Sequence, residues 1–412
     1  MASSLSSKAT SFEHFSHKLY SSVSRKKINQ NVFFSPASIA LAMSMCTVGA
    51  RKETLNQMLH VLDASSTDSL TKTAEKIMHV FSIAHHDTQV QLKLANRLYA
   101  QKAYKLQPNY LSLVQNSFKA DIKLQDFQND SAHAVHKINR WVEKKTNSLI
   151  QNLLSENDVT RDTRLIIVNC IYFKVNISFH QKRLTNPNAD FHEANGKIQK
   201  IKLMYQKEKF AYAENNDLHV QIAHLPYKSD SQDIQFVFTV ILPKQGVSLD
   251  EVEQKLISKP SLMHKVLSDE NTTTQELLLY LPKFKMEAAF ELNDVLIHLG
   301  MINAFSDSKA DFTGIVSQQD DRHGSEAAAV TAVRLTKRRR IASDIKPIEF
   351  KVDRSEAAAA TAVVMNRCFS SMAPKPSPIE FKADRPFLFF IRESQQNIVL
   401  FSGKFVSPPT VS

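Results

Sequence analysis

Glycine is scarce in this 412-residue chain, with seven occurrences against a usual share of roughly 7%. None falls in a GxGxxG or GxxxxGK pattern, so a glycine-rich phosphate cradle is excluded. The three cysteines, Cys46, Cys170 and Cys368, are an odd number and imply no disulfide framework. Cys46 and Cys170 lie in apolar segments and read as small packing residues. No stretch approaches membrane-spanning length, and Met1 to Thr10 lacks the apolar run of a secretory signal. GxSxG, HExxH and CxxC are absent too. The nearest metal-like cluster, His85-His86-Asp87, is a pair of adjacent histidines in a polar stretch and reads as solvated. We therefore expect no enzyme activity, no metal and no cofactor.

What is present is ordinary globular material: 43% hydrophobic and 23% charged residues, which excludes disordered and collagen-like classes. No linker rich in Gly, Pro or Ser divides the chain, and we expect residues 1–412 to form a single domain. The formal charge of +11 favours acidic partners in general, with a plain solvated basic face as the simpler reading. Asn129, Asn176 and Asn271 open glycosylation acceptor triplets.

Phe12, Phe15 and Leu19 recur at helical spacing and predict an amphipathic first helix. Ser35-Pro36 predicts a helix start, with Ile39, Ala40, Met43 and Cys46 inside and Gly49 as the stop. Ala134, Ile138, Trp141 and Val142 form another stripe, which places the one tryptophan in a core. Leu165–Phe173 reads as a strand covered on both faces, and 236–242, 277–281, 387–391 and 398–401 as further strands. Helices dominate the first 160 residues and strands the remainder, which predicts an α+β fold.

Near the C-terminus one segment occurs twice. Gly324-Ser-Glu-Ala-Ala-Ala-Val-Thr-Ala-Val333 returns as Arg354-Ser-Glu-Ala-Ala-Ala-Ala-Thr-Ala-Val363. Each copy runs on into Pro-Ile-Glu-Phe-Lys-x-Asp-Arg, at Pro347–Arg354 and Pro378–Arg385. The tandem copies thus span 324–354 and 354–385. Small residues ending in Thr can stand in a loop or enter a crowded sheet without clashing.

Several stretches, in this order and spacing, carry a family resemblance: Asn31-Val-Phe-Phe-Ser-Pro-Ala-Ser-Ile39, Asn96-Arg-Leu-Tyr99, Ile138-Asn-Arg-Trp-Val142, Leu281-Pro-Lys-Phe284, Ala310-Asp-Phe-Thr-Gly314 and Arg385-Pro-Phe-Leu-Phe-Phe390. Together with the duplicated hinge, they make the chain resemble the serpin family along nearly its whole length. The resemblance implies three β-sheets, eight or nine helices and an exposed reactive loop near the C-terminus. It also implies a monomeric, single-use inhibitor of serine proteases. A target protease attacks one loop bond, and the freed hinge inserts into the main sheet before the acyl-enzyme is hydrolysed.

Carried onto this sequence, the hinge residues are Ser355, Glu356, Ala357, Ala358, Ala359, Ala360 and Thr361 in the second copy. In the first copy they are Gly324, Ser325, Glu326, Ala327, Ala328, Ala329 and Thr331. Counting along the family pattern puts the attacked bond at Arg338-Arg339 in the first copy, and the same count in the second lands on Cys368, one residue after Arg367 and just before Phe369. An arginine there implies trypsin-like targets. Ser35, Ser38 and Asn169 match the region where the family's sheet opens.

Three departures accompany the resemblance. The long strand that should leave the sheet before the hinge is missing, because Gly314 is followed by Ile315 to His323 and then the first copy. The histidine which that strand normally brings near Ser38 and Asn169 goes with it. Val175 and Ile177 stand where the family has Gly and Trp. Ile348-Glu-Phe-Lys-Val352 alternates with period two and could supply a substitute strand ahead of the second copy, so we expect Arg354–Arg385 to be the presented loop and the first copy a bulged insertion.

The competing readings are a non-inhibitory serpin-fold protein, whether protease substrate or carrier, and a polyanion binder. The last would use Lys197, Lys200, Lys202, Lys207, Lys209 and Lys337–Arg340 on a heparin-like glycosaminoglycan, with no membrane and no specific nucleic acid as partner. For localisation the resemblance implies an extracellular setting, and the N-terminus an intracellular one.

Overall fold

The computed structural model describes residues 11–85, 90–103, 105–145, 151–159, 161, 163, 165–175, 184–227, 229–283, 288–306, 308–316, 340–343 and 377–408. The chain opens with α1 (Ser11–Lys26), β1 (Val32–Phe34), α2 (Pro36–Thr47), α3 (Lys52–Val61) and α4 (Thr67–His85). It continues through β2 (Val90–Gln101), α5 (Pro108–Asn116), β3 (Asp121–Gln125), α6 (Ser131–Lys145) and β4 (Leu165–Val175). Four strands follow, β5 (Leu184–His192), β6 (Ile198–Asn215), β7 (Val220–Pro226) and β8 (Phe236–Pro243), then α7 (Leu249–Ser258) and α8 (Pro260–Leu267). The remainder is β9 (Thr273–Pro282), β10 (Ala288–Glu291), α9 (Asn293–Leu299), β11 (Arg340–Ser343), β12 (Ile379–Lys382), β13 (Phe387–Glu393) and β14 (Ile398–Phe405).

The strands form three sheets. Nine belong to the largest, ordered β1-β14-β13-β8-β7-β6-β9-β12 with β5 on β6. A second runs β3-β2-β4, and β10 with β11 makes a third. Three sheets and nine α-helices among the described residues match the α+β expectation. β8, β13 and β14 are buried along their whole length, because helices and neighbouring strands cover both of their faces and no polar alternation survives.

The helices start where their side chains can satisfy free backbone donors. Ser35 caps α2 by accepting from the Ser38 amide at 3.2 Å, and Pro36 takes the first turn, where its missing N–H costs nothing. α2 then runs buried on every side. Gly49 follows the helix for a reason other than backbone freedom: a Cβ there would collide with the side chain of Ile315. In α1 the predicted Phe12, Phe15 and Leu19 are buried, joined by Val23.

A separate apolar cluster seats α6 on the three-stranded sheet. Ala134, Val135, Ile138 and Val142 meet Tyr99 on β2 and Ile166 and Val168 on β4. Trp141 is half-buried at its edge, at right angles to Tyr99, with the Arg97 guanidinium 4.4 Å above its ring. The predicted strand at Leu165–Phe173 is β4, antiparallel to β2 from Leu165 to Val175. The substitute strand expected at Ile348–Val352 lies outside the described residues. A nearby segment, Arg340–Ser343, forms β11.

Candidate functional site

Two well-anchored stretches of the described residues flank the duplicated segment in sequence. On the near side, Phe312–Val316 is tied down by backbone bonds: Gly314 N to Gly49 O at 3.1 Å, Gln107 N to Ile315 O at 2.9 Å and Arg51 N to Asp311 O at 2.9 Å. Val316 bridges Leu106, and Ile315 is fully buried. Partial burial pushes the Asp311 carboxyl up, but hydrogen bonds from Thr313 and the Lys52 ammonium 3.2 Å away hold it below the usual carboxylate range.

On the far side, β12 joins the large sheet parallel to β9, with Ile379 opposite Leu277 and Lys382 opposite Tyr280. Asp384 and Arg385 then act as a latch. The Arg385 Nε donates to Pro243 O at 2.8 Å and its Nη1 to Lys382 O at 3.2 Å. Asp384 pairs with Arg385 at 3.0 Å and with Lys382 at 3.0 Å, and its carbonyl accepts from His192 N at 2.8 Å. Immediately afterwards Phe387 begins β13, in the middle of the sheet. These latch residues end the second repeat copy, and the repetition of Lys-x-Asp-Arg was the sequence signal for them.

Between the two anchors only Arg340–Ser343 is described. It pairs antiparallel with β10, Glu291 opposite Arg340 and Ala288 opposite Ser343, and it also lies against β4. The chain just after the first copy's Arg338-Arg339 bond is therefore a sheet strand, between β10 and the sheet that carries β4. Sequence reasoning missed this strand, since four residues carry too little alternation to stand out beside a tribasic run. Both hinge copies, with Arg338, Arg339, Arg367, Cys368 and Phe369, lie outside the described residues.

The sheet-opening residues can be located. The buried Ser35 hydroxyl donates to Leu400 O on β14 at 2.7 Å. Ser38 is buried one turn into α2, and α2 packs against both β14 and β4. Asn169 on β4 stands opposite Asn96 on β2. Asn96 donates to Phe118 O at 3.0 Å.

The lysines expected to form one polyanion site are divided. By the pleat, Lys200 and Lys202 fall on one face of β6, Lys207 and Lys209 on the other. Lys200 pairs with Asp190 at 2.6 Å and Lys207 with Glu276 at 3.2 Å. Lys337–Arg339 lie outside the described residues.

The described residues form a helical body carrying three sheets, with the duplicated segment falling in sequence between Val316 and β12. The serpin (serine protease inhibitor) family model matches residues 10–408. The human leukocyte elastase inhibitor is 31% identical over 96% of this chain and 97% of its own length. The native stressed conformation of Arabidopsis AtSerpin1 is 27% identical, covers 97% of both chains and superposes with a TM-score of 0.76. Uncleaved ovalbumin, at 23% identity and TM-score 0.74 over 97% of this chain and 100% of its own, shares the fold. The chain belongs to the serpin family. These relatives lend no support to an extracellular setting.

Proposed function

We propose that this chain is a single-use inhibitor of trypsin-like serine proteases, a single domain whose working loop is the second copy, Arg354–Arg385. The observation that carries this reading is β11. Because Arg340–Ser343 is already hydrogen-bonded to β10, it takes the part of the missing strand and leaves the second copy suspended between two sheet-bound segments, β11 and β12. The first copy, upstream of β11, is an insertion on the approach to the strand.

In this reading the cut falls one residue before the Cys368 that the family count gives, because Arg367 carries the basic side chain, and the protease serine oxygen attacks the carbonyl carbon of Arg367. The Arg367–Cys368 bond breaks, the departing amine of Cys368 takes a proton, and Arg367 remains as an ester on the protease. The guanidinium of Arg367 fits a specificity pocket that carries a carboxylate. Ser355 to Thr361, with no proline and no bulky side chain, then enter the sheet between β4 and β11. Ser35 and Ser38 begin α2, which packs against β4, and Asn169 belongs to β4 itself, the strand that must part from β11.

A second reading has a specific observation behind it. β11 pairs over four residues, whereas β4 pairs with β2 over eleven. A sheet so briefly completed could fail to trap, leaving a serpin-shaped substrate.

Incubation with trypsin, followed by a denaturing gel and intact mass of every band, separates the two. We expect a covalent complex near the summed masses and a released peptide beginning at Cys368, with Arg367→Ala abolishing both. A peptide beginning at Arg339 would assign the work to the first copy. Cleavage with no stable complex would establish the substrate reading.

A further inference from the structure

The outer face of α6 carries five basic side chains and no acid. His133, His136, Lys137, Arg140 and Lys144 are all exposed. At 3.6 residues per turn they fall within an arc of about 100° and extend along about 16 Å of the helix. The opposite side is the apolar stripe of Ala134, Val135, Ile138 and Val142 that seats the helix on the sheet. None of the five has an ion-pair partner among the described residues. In the sequence of the helix the neighbouring acids are Glu143, about 20° beyond His136 at the edge of the basic arc, and Asp130 ahead of the first turn.

This differs from the basic strand β6, where acids are interleaved and two of the lysines are paired. An unpaired, one-sided row of charge creates a local positive field that a salt-bridged strand does not. It is also rigid, because the residues are fixed to a helix packed along its whole apolar side, so little is lost in ordering the site on binding.

We propose that this face of α6 is a binding site for a linear sulfated polysaccharide. Such a chain presents a row of anionic groups and asks only for spaced cations. The face offers no exposed aromatic ring for base stacking and no amide for reading base edges, since Trp141 is turned toward Arg97 and Tyr99, and Asn139 is bonded to the backbone of Leu154 at 2.8 and 2.9 Å. That favours the polysaccharide over a nucleic acid. The site is independent of the reactive loop, so its test does not depend on inhibition.

The experiment is salt elution of the full-length protein from immobilised heparin, with binding to soluble heparin measured at 0.15 M salt. A triple variant, Lys137→Ala, Arg140→Ala and Lys144→Ala, is compared with a control triple, Lys200→Ala, Lys202→Ala and Lys209→Ala. The α6 variant should elute at clearly lower salt, lose on the order of tenfold or more in affinity and show a shallower dependence of log affinity on log salt. The β6 control should stay within about threefold of wild type by the same counterion argument. Because all three α6 residues are exposed and without ion-pair partners, both variants should melt with the parent, which separates lost binding from lost folding. Wild-type elution by the α6 variant would overturn the assignment, and so would duplex DNA competing as well as heparin.

Discussion

At the scale of single residues, the largest commitments are buried charges. Lys404 on β14 is fully buried and donates to Glu253 on α7 at 3.0 Å and to the Ser24 hydroxyl on α1 at 2.7 Å. Tyr20 and Ser24 both donate to the other oxygen of Glu253, Tyr20 at 2.5 Å. Burial and the adjacent carboxylate push the Tyr20 hydroxyl well above its ordinary value, so it stays a donor. Glu253→Ala would leave the Lys404 ammonium buried without its counter-ion and should cost about 3–5 kcal/mol. Urea unfolding checks this, and an unchanged midpoint would mean that water reaches Lys404. His224, packed between β6 and β8 with Nδ1 2.7 Å from the Thr239 hydroxyl, is held neutral by burial and by the Arg392 guanidinium, its pKa lowered to about 4. An unfolded imidazole takes its proton near pH 6.5. Its contribution to stability is therefore present above about pH 6.5 and lost as the pH falls toward 4. Wild-type stability should fall more steeply than that of His224→Gln across this window, and parallel curves would refute the assignment.

At the scale of elements, β14 shows how closely the large sheet is packed. Gly403 lies opposite both Phe33 and Phe389, and a Cβ there would sit 2.6 Å from Val32 O and run into the Phe389 ring. Since one of those neighbours is backbone and cannot swing away, Gly403→Ala should cost about 1–3 kcal/mol or more, read as a lowered midpoint in urea. Elements with strong periodicity or uniform burial were legible in the sequence: α1 from Phe12, Phe15 and Leu19, α2 from Ser35-Pro36, β8 and β13 from unbroken apolar runs. β6 was not, because its exposed face changes side around Leu203 and Met204, which are both buried, and this breaks the alternation that marks a strand. β11 was illegible for a different reason: its pairing with β10 is a long-range choice that four residues cannot announce. In the candidate site the repeat announced the Asp384–Arg385 latch, while the basic face of α6 was overlooked because its apolar stripe drew the reading.

For the whole molecule, the proposed mechanism makes stability depend on whether the loop is intact. Entry of Ser355–Thr361 between β4 and β11 would pair backbone groups on both sides of the gap and join the two smaller sheets into one. The chain cleaved after Arg367 should then unfold at a higher temperature than the intact one, by calorimetry, and a midpoint that stays or falls would mean the freed hinge does not insert. The order β1-β14-β13-β8 has a further consequence, for synthesis on the ribosome. Strands β13 and β14, late in the chain, occupy interior positions, and β14 joins β1, with Val32 opposite Lys404, across a long sequence separation. A nascent chain that has not yet released Phe387 to Phe405 presents β1 and β8 as two open edges with nothing between them, a state prone to pairing with other chains. The extra copy of the segment prolongs that interval, although a longer connection between paired strands adds little entropy cost because the penalty grows only with the logarithm of length. The duplication therefore burdens the timing of assembly more than the stability of the finished fold.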